Sequence, residues 1–342
     1  MPGRRKKVLF YAAVRDPALF RTMGFYATDI KILEDCGYEV TPTNRLLDFF
    51  KYGRYDLAFI YFWTKGLLPA IVAKGLGKKV LFTGGIDALD RGFNRRALDY
   101  LIKKWLFRAC AALSDANIIV SLSDLANVRQ TGVDVSSLHL VPHVIDAQRY
   151  AHDGRRKQNW ITTVAWMGTK ENVQRKGLDR LLRVFGEFVQ MDNGYTLMLI
   201  GPGGEGSAYL ARMASDLDIA GRVVFTGEVA EEEKIRLLKE SKYYFQLSAY
   251  EGFGISAIEA LAAGNLVFHS GRGGLSDSMP PEGIEIADIA DFPKIAKTLA
   301  KVDQDYGDYQ DRISGGVRRM REQYAYCVRK ERIGAILNAL VS

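Results

Sequence analysis

Two kinds of pattern alternate along this chain: short runs of consecutive apolar residues, and longer stretches whose apolar positions recur every three to four residues. Runs of the first kind fall at residues 6–13 (Lys-Lys-Val-Leu-Phe-Tyr-Ala-Ala), Tyr38–Pro42, Leu57–Phe62, Lys79–Thr83, Ala116–Ser121 and Leu138–Pro142. They read as strands, the first of them buried. A helix is expected from Ala27 to Cys36, stopped by Gly37, and a long basic one over residues 91–113. A second series then begins. Strands are expected at Ile161–Met167, Thr196–Ile200, Val223–Phe225, Tyr243–Leu247 and Leu266–His269, with helices at Gly177–Met191, Ala208–Leu217 and Glu231–Lys239. Strands alternating with helices predict an α/β fold with doubly wound parallel sheets. The charged, glycine-containing segment Asp153–Asn159 reads as a hinge, so the expected division is 1–155, 156–320 and a terminal helix within 321–342.

Size and composition agree with two cores. The chain has 342 residues, 48% hydrophobic and 25% charged, an ordinary globular balance. The apolar stretch Phe59–Phe82 is broken by Lys65, Lys74, Lys78 and Lys79, so no bilayer span is expected, and Met1–Lys7 runs into a strand without a cleavage site. Cys36, Cys110 and Cys327 are scattered through helical patterns and are expected as reduced core residues of a cytoplasmic protein. Charge is uneven: residues 1–155 hold 23 Lys/Arg against 15 Asp/Glu, residues 156–342 hold 24 against 25. The basic half points to an anionic partner. No nucleic-acid recognition motif accompanies it, so no nucleic-acid partner is expected. Within 91–113, Leu98, Leu101, Ile102, Trp105 and Leu106 form one apolar face, with Arg96, Lys103, Lys104 and Arg108 around it. The expectation is that this face packs on its own sheet, with the cationic side able to meet an anionic membrane surface.

The most informative stretch is residues 251–264, E-G-F-G-I-S-A-I-E-A-L-A-A-G. Glu251 follows an aromatic strand, Gly252, Phe253 and Gly254 make a tight turn, and a short helix carries Glu259. The amides of Gly254, Ile255 and Ser256 are then free at a helix N-terminus, a site for a phosphate. Carboxylates on either side of that phosphate can reach sugar hydroxyls, which is the layout of a sugar nucleotide: hexose, diphosphate, ribose.

The pattern E-G-F-G-x-x-x-x-E-A-x-A-x-G resembles the signature of the retaining glycosyltransferases of family 4, the glycosyl transferases group 1, with the GT-B fold. That resemblance implies two Rossmann-like domains facing a cleft, with a terminal helix crossing back to the first. It implies that Glu251 contacts the donor sugar and Glu259 the nucleotide ribose. In Arg175-Lys176-Gly177-Leu178, the motif K-G-x-x-x-L-L places Lys176 on the donor phosphates, with Arg175 beside it. The family's upstream Arg falls on Gly168-Thr169-Lys170, so Lys170 is the nearest equivalent. Gly203, in the turn Gly201–Gly204, serves either close approach to the donor or the turn alone. Of the family's glycine pair near the first strand only Gly24 remains, with Arg21 nearby. Where relatives place a His after the fourth strand, this chain has Thr83-Gly84-Gly85-Ile86-Asp87. None of His139, His143, His152 and His269 stands there, and Asp87 is the titratable group of that turn. Asp87 binds an acceptor hydroxyl or caps the next helix; both readings stand. His143, in Val-Pro-His-Val-Ile-Asp, reads as a structural loop residue.

The implied chemistry is transfer of a hexose from a UDP- or GDP-sugar to a saccharide or lipid-linked acceptor, with retention, in cell-envelope glycan synthesis. No metal is expected: Asp216-Leu217-Asp218 ends a helix, and Asp303-Gln304-Asp305 lies in a polar stretch where both carboxylates are expected to be solvated. The alternative is a silent GT-B protein that binds a sugar nucleotide or an anionic glycan without turnover.

Overall fold

In the computed structural model, residues 5–90, 94, 96–151, 153, 155–192 and 194–341 are described. They divide into two compact units, Met1–Ile145 with Tyr324–Ser342, and Asp146–Gln323.

The first unit is built on a parallel sheet of β1 (Lys7–Tyr11), β2 (Glu39–Thr43), β3 (Leu57–Tyr61), β4 (Lys79–Thr83), β5 (Ala116–Ile119) and β6 (Leu138–Leu140). The strand order is β2-β1-β3-β4-β5-β6. Its helices are α1 (Gly24–Asp35), α2 (Trp63–Gly75), α3 (Ala97–Leu113) and α4 (Leu122–Arg129). Helices cover both faces, so β3 (Leu-Ala-Phe-Ile-Tyr) is buried at every position. The C-terminal helix, Tyr326–Val341, closes this unit and packs on α1. Its anchor is Arg329, 1% exposed, whose guanidinium donates to both oxygens of Asp29, at 2.6 and 2.7 Å, and to the carbonyls of Val141 and Pro142. The Tyr61 hydroxyl also donates to Asp29. A buried ion pair so fully bonded fixes one docking geometry.

The second unit repeats the plan with β7 (Gln158–Val164), β8 (Thr196–Ile200), β9 (Val223–Gly227), β10 (Ser241–Gln246), β11 (Leu266–His269) and β12 (Ile284–Glu285), in the order β12-β11-β10-β7-β8-β9. Its helices are α5 (Lys170–Lys176), α6 (Leu178–Val189), α7 (Glu205–Asp216), α8 (Glu231–Glu240), α9 (Ile255–Ala262), α10 (Phe292–Gln304) and α11 (Gln310–Gln323). The expected stripe of α6, Leu178, Leu181, Leu182, Phe185 and Phe188, is buried throughout.

Several expectations change. Between the strands expected at Leu57–Phe62 and Lys79–Thr83 lies a helix that was not expected, α2, which carries Lys65 and Lys74. The long basic helix begins at Ala97, and residues 91–93 and 95 lie outside the described residues. Its stripe is turned the other way. Tyr100, Phe107, Cys110 and Ala111 face the core, while Leu98, Leu101, Ile102 and Trp105 are exposed, Trp105 by 62%. The single terminal helix expected from Arg321 is two, α11 and Tyr326–Val341, broken at Tyr324 where the chain leaves the second unit for the first. The other boundary falls at Ile145/Asp146, ten residues before the expected division after residue 155, because the turn Ala147–Tyr150 packs on α8, α9 and α11. Residues 152 and 154, and so His152, lie outside the described residues. Of the cysteines, Cys110 is buried, Cys36 half-buried and Cys327 exposed. No helix among the described residues is long and apolar enough to cross a membrane.

Candidate active site

At the carboxyl end of β10 the chain makes the turn Leu247–Gly254 and enters α9. Strand-end turns of parallel sheets are where open α/β folds present ligand groups. Three contacts lock this turn. Gly177, between α5 and α6, is left-handed (φ +74°), and a Cβ there would stand 2.0 Å from the Leu247 carbonyl oxygen. The Ala249 amide donates to the Arg175 carbonyl at 2.8 Å. On the opposite side, the loop after β11 brings Gly274 so close that a Cβ would lie 2.1 Å from the Gly252 carbonyl oxygen, and its amide donates to Glu251 O at 2.7 Å. Glycines are required at both places because backbone meets backbone.

Glu251 is held between these supports and is 6% exposed. Its Oε1 accepts from Lys176 Nζ (2.6 Å), Ser248 Oγ (2.7 Å) and Gln246 Nε2 (2.9 Å). Its Oε2 has no donor among the described residues. Burial alone would raise this carboxyl; the Lys176 ammonium, then Arg175 and Ser248, outweigh it and hold the group below the usual Glu range. Glu251 is therefore a carboxylate at neutral pH, with one oxygen fixed and one available.

Arg175 is steered by neighbours, donating to Asn172 Oδ1 at 2.8 Å and to the Tyr250 carbonyl at 3.4 Å. Both Arg175 and Lys176 sit in the last turn of α5, where cations suit the helix dipole.

Gly254 is left-handed (φ +90°) and is the N-cap of α9. The amides of Gly254, Ile255 and Ser256 have no acceptor among the described residues, while Ala257 and Ile258 turn back to the Gly254 carbonyl. Phe253 is buried and its carbonyl accepts from Ser278 Oγ, which fixes the cap. Glu259, in the second turn of α9, is bound by Lys234 Nζ on α8 at 3.0 Å and reached by the Tyr150 hydroxyl. Burial raises its pKa against the pull of Lys234. Neither glutamate faces bulk solvent.

The structure thus brings Glu251, Lys176, Arg175, Phe253, Gly254, Ile255, Ser256 and Glu259 into one unit. Lys170 makes none of the contacts given above. That residue opens α5 at the end opposite Lys176, exposed, with its ammonium over the Tyr209 ring at 4.7 Å. Gly203 lies in the turn before α7 with Ser207 against it, which favours the turn reading. Gly24 and Asp87 belong to the first unit. Gly24 opens α1, and a Cβ there would meet nothing within 4 Å, so the fold itself does not need a glycine. Asp87 starts a short turn after β4 and lines a cavity of about 190 Å³ with Phe62, Trp63, Lys103 and Phe107. Thr83, at the strand end before it, is fully buried. His143 is buried and packs on Phe25; burial, then the Arg329 charge, pushes its pKa down to about 3.

Asp303 departs from the expected solvated state. It accepts from the hydroxyls of Tyr195 and Tyr243 (2.6 Å) and from Lys242 Nζ (3.0 Å), tying α10 to the sheet. Asp216, Asp218 and Asp305 are exposed as expected. No group of three or more His, Cys, Asp or Glu among the described residues is placed to hold a metal ion. Sequence reasoning missed Gln246, Ser248 and the glycine loop; the run Gly271-Arg-Gly-Gly274 directly after a strand was the available signal.

Residues 168–305 match the family model described as glycosyl transferases group 1. An uncharacterised glycosyltransferase of Methanocaldococcus jannaschii is 28% identical over 156 residues, 44% of this chain and 39% of that protein. A D-inositol 3-phosphate glycosyltransferase of Rhodococcus jostii is 32% identical over 161 residues, 43% of this chain and 35% of its own length. The chain therefore spans well under half of these curated relatives. Among solved structures, Anabaena HepE in complex with UDP-glucose superposes with a TM-score of 0.78 at 16% identity, covering 97% of this chain and 99% of that one. At that identity the likeness is one of fold, the GT-B architecture of paired Rossmann-like units.

Proposed function

We propose, from the premise that this chain belongs to the glycosyl transferases group 1 through its second unit, that it transfers a hexose from a nucleoside-diphosphate sugar to a saccharide or lipid-linked acceptor. The observation that carries this reading is the state of Glu251. It is a buried carboxylate whose Oε1 is saturated by Lys176, Gln246 and Ser248 and whose Oε2 is left to a ligand.

In this reading Glu251 binds a hydroxyl of the donor hexose. The free amides of Gly254–Ser256 and the cations Lys176 and Arg175 take the diphosphate. Glu259 leaves or shares Lys234 to bind the ribose. The anomeric carbon–oxygen bond breaks, with its electron pair going to the diphosphate. The acceptor oxygen bonds to the same face of the sugar, and its proton passes to a phosphate oxygen of the leaving group. Negative charge grows on the diphosphate as the bond breaks, and fixed dipoles and cations there act on the transition state more than on the ground state. Such a route retains configuration and asks for no protein nucleophile, metal or imidazole. That agrees with Thr83 and Gly84 standing where relatives carry a His. Asp87 is then an acceptor-side group.

The test is a panel of UDP- and GDP-sugars with saccharide and lipid-linked acceptors, read by product anomeric NMR and repeated in EDTA. A retained linkage unaffected by chelation supports the reading; an inverted linkage or metal dependence overturns the mechanism. The strand end after β4 favours one other outcome, since Asp87 is its sole titratable group. Tight nucleotide binding without turnover in every mixture would mark a silent sugar-nucleotide binder.

A further inference from the structure

Three neighbouring elements of the first unit expose apolar side chains that the fold leaves uncovered. On α3 these are Leu98, Leu101, Ile102 and Trp105, at spacings of three, four and seven, which is one helical face. On α2 they are Leu68 and Ile71. The short helical turn Leu46–Phe50 adds Leu47 and Phe50. The middle element, α2, packs against both the turn and α3. These eight are more than half of the 14 large apolar side chains exposed among the described residues, gathered on three elements in lateral contact. A monomer rarely exposes apolar surface in such a concentration without a partner for it.

Charge identifies the partner. Residues 45–113, which contain all three elements, hold 13 Lys/Arg against 5 Asp/Glu, a net +8, in a chain whose total is +7. The cations flank the apolar positions: Lys65 is three residues before Leu68, Arg108 three after Trp105, and Lys65, Arg96 and Arg108 are exposed. A second copy of this chain is disfavoured, because a two-fold interface would set this cationic patch against itself. Nucleic acid would match the charge but has no use for exposed Leu and Ile. An anionic bilayer uses both, taking aliphatic side chains and Trp at the headgroup boundary and drawing the cations to its surface.

We propose that the face formed by α3, α2 and the Leu46–Phe50 turn docks this protein onto an anionic lipid bilayer, as a peripheral contact. This does not depend on the reaction proposed above.

The experiment is co-sedimentation of the full chain with phosphatidylcholine vesicles, alone or with about one-third phosphatidylglycerol. The chain should pellet with the anionic vesicles and not with the neutral ones. Raising NaCl from about 0.1 to about 1 M, which shortens the Debye length from about 10 to about 3 Å, should release most of it. The double variant Leu101→Glu with Trp105→Glu should lower partitioning at least about tenfold, since two buried apolar contacts become anionic. Lys104→Glu with Arg108→Glu should do the same and steepen nothing in neutral vesicles. Unchanged circular dichroism and unchanged denaturant-unfolding transitions of the full chain report that the variants fold. Failure of the wild type to bind anionic vesicles at low salt overturns the proposal. So does equal binding by the Leu101/Trp105 variant, or a solution dimer that this same variant splits, which would make a second copy the occupant.

Discussion

The two units share a six-stranded parallel plan but spend their polar and apolar residues differently. In the second unit, buried polar groups converge: Glu251, Gln246, Ser248 and Lys176 meet at the end of one strand, and glycines press two loops together behind them. In the first, the buried polar cluster of Asp29, Tyr61 and Arg329 joins a helix to the body, and the unusual feature of the surface is apolar. On the proposed reading, one unit is organised around holding a small charged ligand, the other around its own closure and a cationic, apolar exterior. A shared fold therefore carries no shared function; the site residues do.

Several changes would break or sharpen this contrast. The largest effect is expected from Arg329→Ala, which leaves Asp29 buried without its partner. It should destabilise the first unit by about 3–5 kcal/mol in denaturant unfolding while nucleotide binding by the second persists at low denaturant. If both functions fail together, the units do not stand apart as described. Next, Glu251→Gln should lower transfer by about 10²–10³ while nucleotide affinity, measured by calorimetry, shifts little. Comparable losses of both would remove Glu251 from the sugar.

Acid pH tests one buried imidazole in each unit. An unfolded His takes a proton near 6.5, but burial, with the charges of Arg329 and Arg312 respectively, holds His143 at about 3 and His269 at about 4. Between those limits the unfolded chain binds more protons. Stability is therefore full above 6.5 and falls as pH drops, by roughly 2 kcal/mol from pH 7 to 5 for each group. His143→Phe should flatten that slope for the first unit alone. A smaller change is expected of Glu259→Ala, which should weaken nucleotide binding about tenfold and leave turnover of bound donor nearly intact. Smallest is Gly24→Ala, where added bulk meets nothing: stability should move by less than about 0.5 kcal/mol, and any fall in activity would place the donor's backbone neighbour there.

How far the sequence foretold this differs between the units for physical reasons. Strands such as Lys79–Thr83 and Thr196–Ile200 were exact because burial on both faces writes a continuous apolar run. The turn at 251–254 was legible because a carboxylate between a strand and a glycine cap has few structural uses. By contrast, α2 was missed: the apolar run of β3 continues through Phe62 and Trp63 into it, so no polar boundary marks its start, although Gly77, Lys78 and the opening Lys79 of β4 mark its end. For α3, periodicity picked out one apolar face, Leu98 to Leu106, and assigned it to the core, while the face that carries Tyr100 and Phe107 went unread. The contact of Tyr100 and Phe107 with the body decided which went inward, and that is a tertiary fact. Arg329 and Asp29 are 300 positions apart, and no local pattern links them. Asp303 looked solvated because its partners Tyr195, Lys242 and Tyr243 come from two distant strands or their approaches.

The helix Tyr326–Val341 has one more effect, on the order of events at birth. Synthesis runs from the N-terminal to the C-terminal side, so the whole of Asp146–Gln323 is made before the guanidinium that neutralises Asp29 exists. Until that helix is made, the first unit holds an unmatched acid on α1 and lacks the element that packs there. The half made first is thus the half finished last.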